Sequence, residues 1–323
     1  MSAAALPARR LGTGGPEVSL IGLGCNNFGG RLDLEATTAV LDAALEAGVT
    51  LLDTADVYGG KGGSERLMGE VLSEDGRRER VVLLTKFGID MDGADGTPRH
   101  LPRGSRDYVR RALEGSLQRL RTDSIDVYMY HRPDGITPIA ETLAALGELV
   151  DEGLVAHIAC SNVSVEELRE ADRLARSEGL PRFIAVENEY SLLERGIERD
   201  ILPAADRLGI GVLPYFPLAS GLLSGKYRRG ERGPENARLH GREPEHDDER
   251  FEVIEGLTAL AAEHGVGLVD VAIGTLAAQP AVSSVIAGAM NPEQVRANVA
   301  AVSRFQPSEA DLRAFDAIAA PGR

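Results

Sequence analysis

The chain of 323 residues has no tryptophan, only two cysteines, and aromatic residues at 4%. Cys25 and Cys160 make no disulfide framework, and neither stands in a metal-ligand spacing. Each lies in an apolar, strand-like run, the setting of a buried structural thiol rather than a reactive one. Long apolar runs are missing as well: none approaches the roughly 20 residues that cross a bilayer. The first residues, Met1-Ser2-Ala3-Ala4-Ala5-Leu6-Pro7, lack the basic start and apolar stretch of a secretion signal, so a cytoplasmic enzyme is the expectation. Positive charge is short: 35 Lys and Arg face 50 Asp and Glu, for a net charge of -15. Such a surface repels phosphate backbones and anionic lipid, which argues against nucleic acid and membrane as partners. With 43% hydrophobic residues the chain has ample material for a core, and its length suits two domains or one large α/β barrel.

Apolar strand-like runs alternate with helical spacing at intervals of roughly thirty residues. Val18–Leu23 precedes a helix at Leu34–Ala47 stopped by Gly48, and Val49–Leu52 precedes Ser64–Leu72, with Ser64 as its N-cap. Val81–Thr85 leads to Ser105–Leu120, Ile125–Tyr130 to Pro138–Val150, and Val155–Cys160 to Val165–Glu178. Phe183–Val186 leads to Ile197–Leu208, Gly211–Pro214 to Phe251–His264 after a long loop, and Ser283–Ala287 to Pro292–Val302. Eight strand–helix units with no break in composition predict an α/β fold: one (β/α)8 TIM barrel spanning residues 1–323. Leu268–Ala278 reads as an extra helix on the outside, and Ala8–Val18, turning at Gly12–Pro16, as a hairpin that closes the barrel bottom. The long loops Phe87–Gly104 and Leu218–Arg250 follow strands, so both belong on the catalytic rim as lids or as plain surface excursions.

Polar residues sit just past successive strand-like runs: Asp53 and Tyr58, then Lys86, then His131. In a parallel barrel these positions converge on one mouth. Singly, each has a structural reading, as a rim aromatic, a surface ion pair or a half-buried histidine. Together, in barrel order, they make a proton-transfer site. A phenol with an ordinary pKa near 10 is a poor acid at neutral pH, and an adjacent ammonium is expected to lower it. Asp53 would hold Lys86 charged, and His131 would bond the substrate oxygen or share a proton with Tyr58. The chemistry expected is protonation of a carbonyl oxygen as a hydride reaches its carbon.

Leu52-Asp53-Thr54-Ala55-Asp56-Val57-Tyr58-Gly59, Thr85-Lys86-Phe87-Gly88 and Tyr128-Met129-Tyr130-His131-Arg132-Pro133-Asp134 resemble the aldo-keto reductase superfamily. So do Ala159-Cys160-Ser161-Asn162, Glu187-Asn188-Glu189-Tyr190, Gly221-Leu222-Leu223-Ser224-Gly225-Lys226-Tyr227 and Ile286-Ala287-Gly288-Ala289-Met290-Asn291-Pro292-Glu293-Gln294. The wording is nearest the bacterial branch that also resembles potassium-channel β subunits. The resemblance implies reversible hydride transfer between NADP(H) and a small-molecule carbonyl or alcohol. It makes Tyr58 the general acid/base, Lys86 with Asp53 its modulating pair, and His131 the group that orients the carbonyl. Ser161, Asn162 and Glu187 fall at the nicotinamide carboxamide, and Tyr215 at the ring face. Leu218, Ser220, Gly221 and Lys226 fall at the pyrophosphate, and Gly288, Gln294 and Asn298 at the adenosine end. Asn26, Phe28, Phe87, Arg132 and Phe216 are candidates for the substrate pocket, which the barrel itself leaves unspecified.

This chain departs from the family pattern at three positions. Glu187 stands where the family has glutamine. An ionised carboxylate there only accepts hydrogen bonds and would favour the oxidised cofactor; a protonated or outward-turned one would not. Met290 replaces a frequent arginine or polar contact to the 2′-phosphate, which leaves NADH open beside the favoured NADPH unless a loop arginine such as Arg238 or Arg242 substitutes. Phe216 replaces a small hydroxyl residue, losing a hydrogen bond and adding bulk. A second class of function, a cofactor-binding redox-sensing subunit with little turnover, is disfavoured by the intact Tyr58, Lys86, Asp53 and His131 and by the short N-terminus.

Overall fold

Strand-forming runs of Val, Leu, Ile and Ala, each followed by a helix, close on themselves in the computed structural model, which describes residues 5–91, 101–235, 239 and 248–319. A hairpin comes first, β1 (Ala8–Arg10) pairing antiparallel with β2 (Glu17–Ser19). The barrel wall follows as β3 (Ile21–Gly24), β4 (Leu51–Asp53), β5 (Val82–Phe87), β6 (Ile125–Tyr130), β7 (Val155–Ser161), β8 (Phe183–Glu189), β9 (Gly211–Tyr215) and β10 (Val285–Gly288). All are parallel, in the order β10-β3-β4-β5-β6-β7-β8-β9, and Ile286 opposite Tyr215 closes the ring. Outside lie α1 (Leu34–Glu46), α2 (Tyr58–Lys61), α3 (Gly63–Leu72), α4 (Arg106–Leu120), α5 (Ile139–Asp151), α6 (Val165–Glu178) and α7 (Ile201–Leu208). After β9 come α8 (Asp248–Glu263) and α9 (Leu268–Ala278), and after β10 come α10 (Pro292–Arg304) and α11 (Glu309–Ile318).

The two-residue period of a strand sorts its side chains into two cores. Inward residues such as Leu51, Leu84, Met129, Ala185, Leu213 and Ile286 pack with Leu11 and Val18 of the hairpin into an apolar plug. Outward residues such as Leu23, Leu52, Leu83, Tyr128, Ile158 and Val186 meet the helix ring in the largest core. The hairpin is tied to the barrel bottom: Thr13 donates its backbone N–H to Gly209, and Arg9 reaches the carbonyls of Gln279 and Val282.

Local signals explain most helix starts. Asp33 caps α1, Ser164 and Glu167 form a capping box on α6, and Asn291 followed by Pro292 opens α10. Ser64 is different. It lies inside α3 behind a left-handed Gly62, and its buried hydroxyl bonds the Cys25 carbonyl and the Thr54 hydroxyl, so it ties helix to strand instead of capping. The helix α9 is also not an outer appendage. Val271, Ala272, Ile273 and Leu276 are fully buried, because α8 covers it through a separate core that includes Phe251, Leu257, Phe305 and Phe315. Residues 92–100 and 240–247 of the expected lids, with Arg238 and Arg242, lie outside the described residues. Among the described residues no single helix is long and apolar enough to cross a membrane.

Candidate active site

One inward step beyond the apolar plug, the same period builds a second layer at the C-terminal rim. Asp53 follows Leu51, Lys86 follows Leu84, Ser161 follows Ala159, Glu187 follows Ala185, and Tyr215 follows Leu213. His131 stands two residues past Met129, just beyond β6, with its backbone N–H held by the Phe87 carbonyl at 2.7 Å. Strand β3 contributes Gly22 and Gly24 instead of side chains. A Cβ at Gly22 would lie 2.7 Å from Ile286 Cδ1, and one at Gly24 would lie 3.2 Å from its Cγ2.

Lys86 is at the centre and wholly buried. Its Nζ is ion-paired with Asp53 Oδ1, donates to the Thr54 carbonyl at 3.2 Å, and lies 3.5 Å from the Tyr58 hydroxyl. A second carboxylate oxygen, Glu187 Oε2, stands 3.4 Å away on the far side of the barrel. Tyr58 is delivered by α2, a tight turn through left-handed Gly59 and Gly60. The turn requires glycine at 59, since a Cβ there would sit 2.3 Å from the Phe28 carbonyl oxygen. The His131 ring meets Tyr58 edge-on at 5.7 Å. Asn162, left-handed at φ 56°, ties three strands: its amide donates to the His131 carbonyl and the Ser161 hydroxyl, and its oxygen accepts from the Tyr215 hydroxyl at 2.8 Å.

Burial governs the electrostatics. It lifts the Tyr58 phenol above its ordinary value; Lys86 pulls the other way, while Asp53 and Glu187 push up with it. The expectation that Lys86 would leave Tyr58 with a lowered pKa is therefore corrected: the effect of the ammonium is present, and desolvation exceeds it. Burial also opposes the charge on Lys86, but Asp53 and Glu187 outweigh it and hold the ammonium firmly protonated. Burial and the neighbouring Asp53 raise Glu187 to about 8, with Lys86 countering. His131 is driven down to about 2 by burial, then by Lys86 and Arg132, and is a neutral ring.

These groups line a cavity of about 590 Å³, except Lys86, which lies beneath its floor. Ser161, Asn162, Glu187, Tyr215, Leu218, Ser220, Gly221, Lys226, Gly288, Gln294 and Asn298 line it, as do Asn26, Arg132 and Phe216. Phe28 and Phe87 do not. Both are fully buried, and Phe87 stacks between Tyr128 at 4.7 Å and Tyr130 at 5.1 Å, so they belong to the outer core and leave the substrate pocket. Met290 packs on that core too, while its N–H donates to Gln294 Oε1 at 2.8 Å. Sequence reading missed Asn27, Val57, Ile89, Pro217 and Val269 along the wall. Ile89 lies past the end of β5, where strand alternation no longer applies, and Val269 arrives from α9, so neither carries a local signal.

The cavity suits an elongated ligand with an amide, an anionic middle and a polar end. His131 Nδ1, Glu187 Oε2 and Asn27 Oδ1 are buried atoms without a hydrogen bond among the described residues, and all three belong to residues that line the cavity. The left-handed turn Ser220–Gly221 stands beside Lys226, whose Nζ would be 3.3 Å from a Cβ at Gly221. Successive backbone groups in such a turn, next to a lysine, form an anion-binding concavity.

The sequence model of the Aldo/keto reductase family matches residues 20–320. A rice (Oryza sativa subsp. japonica) protein named "Probable voltage-gated potassium channel subunit beta" is 35% identical over 91% of this chain and 90% of its own. The Bacillus subtilis protein "Uncharacterized oxidoreductase YrpG" is 36% identical over 90% of both chains. "Probable aldo-keto reductase 1" of Glycine max is 35% identical over 98% of this chain and 90% of its own. With a closed eight-stranded barrel, a buried Lys–Asp pair beside a tyrosine at its rim, and a family match over nearly its whole length, the chain belongs to the aldo/keto reductase family.

Proposed function

We propose that the protein is an NADP(H)-dependent oxidoreductase that reduces the carbonyl of a small aldehyde, ketone or sugar-like substrate, reversibly, with Tyr58 as general acid/base. The observation that carries this reading is the buried ammonium of Lys86 within 3.5 Å of the Tyr58 hydroxyl, at the floor of a cavity that His131 also lines. A nicotinamide bound there supplies or takes the hydride. Tyr58 holds the proton at its hydroxyl and releases it to the carbonyl oxygen. Lys86 favours the phenolate that remains, and Asp53 keeps Lys86 charged and in place. His131, neutral, offers a ring nitrogen to the same oxygen, which orients the carbonyl without competing for its proton. Ser161, Asn162 and Glu187 are assigned to the carboxamide, Tyr215 to the ring face, Ser220, Gly221 and Lys226 to the pyrophosphate, and Gln294 and Asn298 to the adenosine end. Asn26, Arg132 and Phe216 surround the substrate.

One comparison favours a second reading. Two relatives, from rice and from Arabidopsis thaliana, at 35% and 34% identity, carry the name "Probable voltage-gated potassium channel subunit beta". A redox-sensing subunit would bind the cofactor with little turnover. Tyr58→Phe separates the two: for an enzyme it lowers carbonyl turnover by about 10²–10⁴-fold and leaves cofactor affinity within a few-fold, as measured by steady-state rates and calorimetry. Wild type as slow as the variant would support the sensor.

Cofactor choice rests on Met290. No arginine other than Arg132, which neighbours His131, lines the cavity among the described residues. Calorimetric titration is expected to show NADPH binding more tightly than NADH by less than about 100-fold, since a bidentate guanidinium contact is missing at 290. Equal affinities would assign the enzyme to both cofactors.

A further inference from the structure

Glutamine would fill the volume of Glu187, yet this chain buries a second carboxyl against the ammonium of Lys86. The side chain is 2% exposed, and its Oε2 makes no hydrogen bond among the described residues although it stands 3.4 Å from Lys86 Nζ. Charge counting shows why that arrangement is unfavourable with two carboxylates. Lys86 already has Asp53 in direct contact, so an ionised Glu187 leaves a net negative charge on a buried group of three. The groups around Glu187 offer no relief. Asp53 and Tyr58 face it from β4 and α2, Lys86 from β5, His131 from beyond β6, Ser161 from β7, Tyr215 from β9, and Glu189 follows on its own strand. Of these only Lys86 brings positive charge onto it, and Asp53 brings negative charge.

We propose that Glu187 works as a carboxylic acid and serves as a positioning residue: protonated, it leaves the ammonium of Lys86 to Asp53 and Tyr58; ionised, it draws that ammonium away from Tyr58 and slows carbonyl reduction. The acid form also presents one O–H donor and one C=O acceptor, the same pair that a glutamine amide presents to a carboxamide. The ionised form presents acceptors alone. The pH direction follows from the raised value of about 8. Below it Glu187 keeps its proton and the Lys86–Asp53–Glu187 group is neutral; above it the group is negative and binds the Tyr58 proton more tightly. An expected preference for oxidised cofactor thus belongs to alkaline pH alone.

The inference rests on the reductase reading for its effect on rate, but its core is testable without turnover. Infrared difference spectra of wild type against Glu187→Gln, taken without cofactor, are expected to show a buried carboxylic-acid carbonyl band at pH 7 that titrates away with a midpoint near 8. Asp53→Asn gives an independent check, because it frees Lys86 to pair with Glu187 and abolishes the acid band at pH 7. In reductive turnover at saturating cofactor, wild-type kcat is expected to fall about tenfold from pH 7 to pH 9, and that of Glu187→Gln less than twofold, with the ratio of the two proteins' KM values for the carbonyl substrate unchanged. No acid band at pH 7 in wild type overturns the proposal whatever the kinetics show. An acid band with identical pH profiles in the two proteins overturns the link to Tyr58. An acid band in a protein that turns over no carbonyl supports the protonation of Glu187 and removes the reductase reading instead.

Discussion

The imidazole of His131 departs far from ordinary side-chain chemistry. Burial first, then Lys86 and Arg132, drive it down to about 2, so it stays neutral in the folded protein while an unfolded chain protonates it near 6.5. The unfolded state then binds more protons below that value, and stability falls as pH falls. Between pH 7 and pH 5 wild type is expected to lose about 2 kcal/mol more than His131→Gln, measured by urea denaturation of both proteins at each pH. Other residue-scale features were legible in part. Tyr58, Lys86, Asp53 and His131 stood out because polar groups directly after apolar strands have few structural reasons to recur. Glu187 was visible as a departure, but its meeting with Lys86 Nζ depends on the closure of the barrel, which brings β8 opposite β5, and no local pattern encodes that. Phe28 and Phe87 misled for a related reason. An aromatic beside a buried lysine or a rim asparagine is assigned to a pocket by nearness in sequence, whereas strand alternation turns Phe87 outward from Lys86.

Elements were legible where the signal is periodic or capped. Ile125–Tyr130 and Val165–Glu178 were read to the residue because β-branched alternation and the Ser164 cap leave no latitude. Ser64 failed as a cap because a serine near a helix start has two uses, and here its hydroxyl is spent on Cys25 and Thr54. The helix α9 was misplaced because its wholly apolar face pattern suits burial on two sides, which requires the cover supplied by α8. The hairpin was read correctly as a bottom closure, and Gly12 is where it is most exposed to mutation. It is left-handed at φ 67°, and a Cβ there would fall 2.0 Å from the Ile184 backbone oxygen. Gly12→Ala combines a strained backbone with a clash that no rotamer relieves, and is expected to cost about 3 kcal/mol. Chemical denaturation with unchanged m-value checks it, and turnover of the folded fraction should be preserved because the apolar layer of Leu51, Leu84 and Met129 lies between the hairpin and Asp53, Lys86 and His131.

At the scale of the molecule, closure was legible from arithmetic: repeated strand–helix units of even length with no break favour a barrel over an open sheet. The long rim segments offered no shape to read, since Gly- and Asp-rich stretches such as Phe87–Gly104 carry no packing pattern, and residues 92–100 and 240–247 of them lie outside the described residues. The two-layered interior has a consequence for the timing of the reaction. Leu51, Leu84, Met129, Leu213 and Ile286 under the charged layer, with Leu11 and Val18 beneath them, make the barrel a flask stoppered at its base. Among the described residues the apolar layer closes the base, so the cavity is the route for water to Lys86, Asp53 and Glu187, and whatever occupies that neck decides when the flask can be refilled. Isotopic exchange at these protons is then a clock for departure from the cavity, running between catalytic cycles and stopping within them.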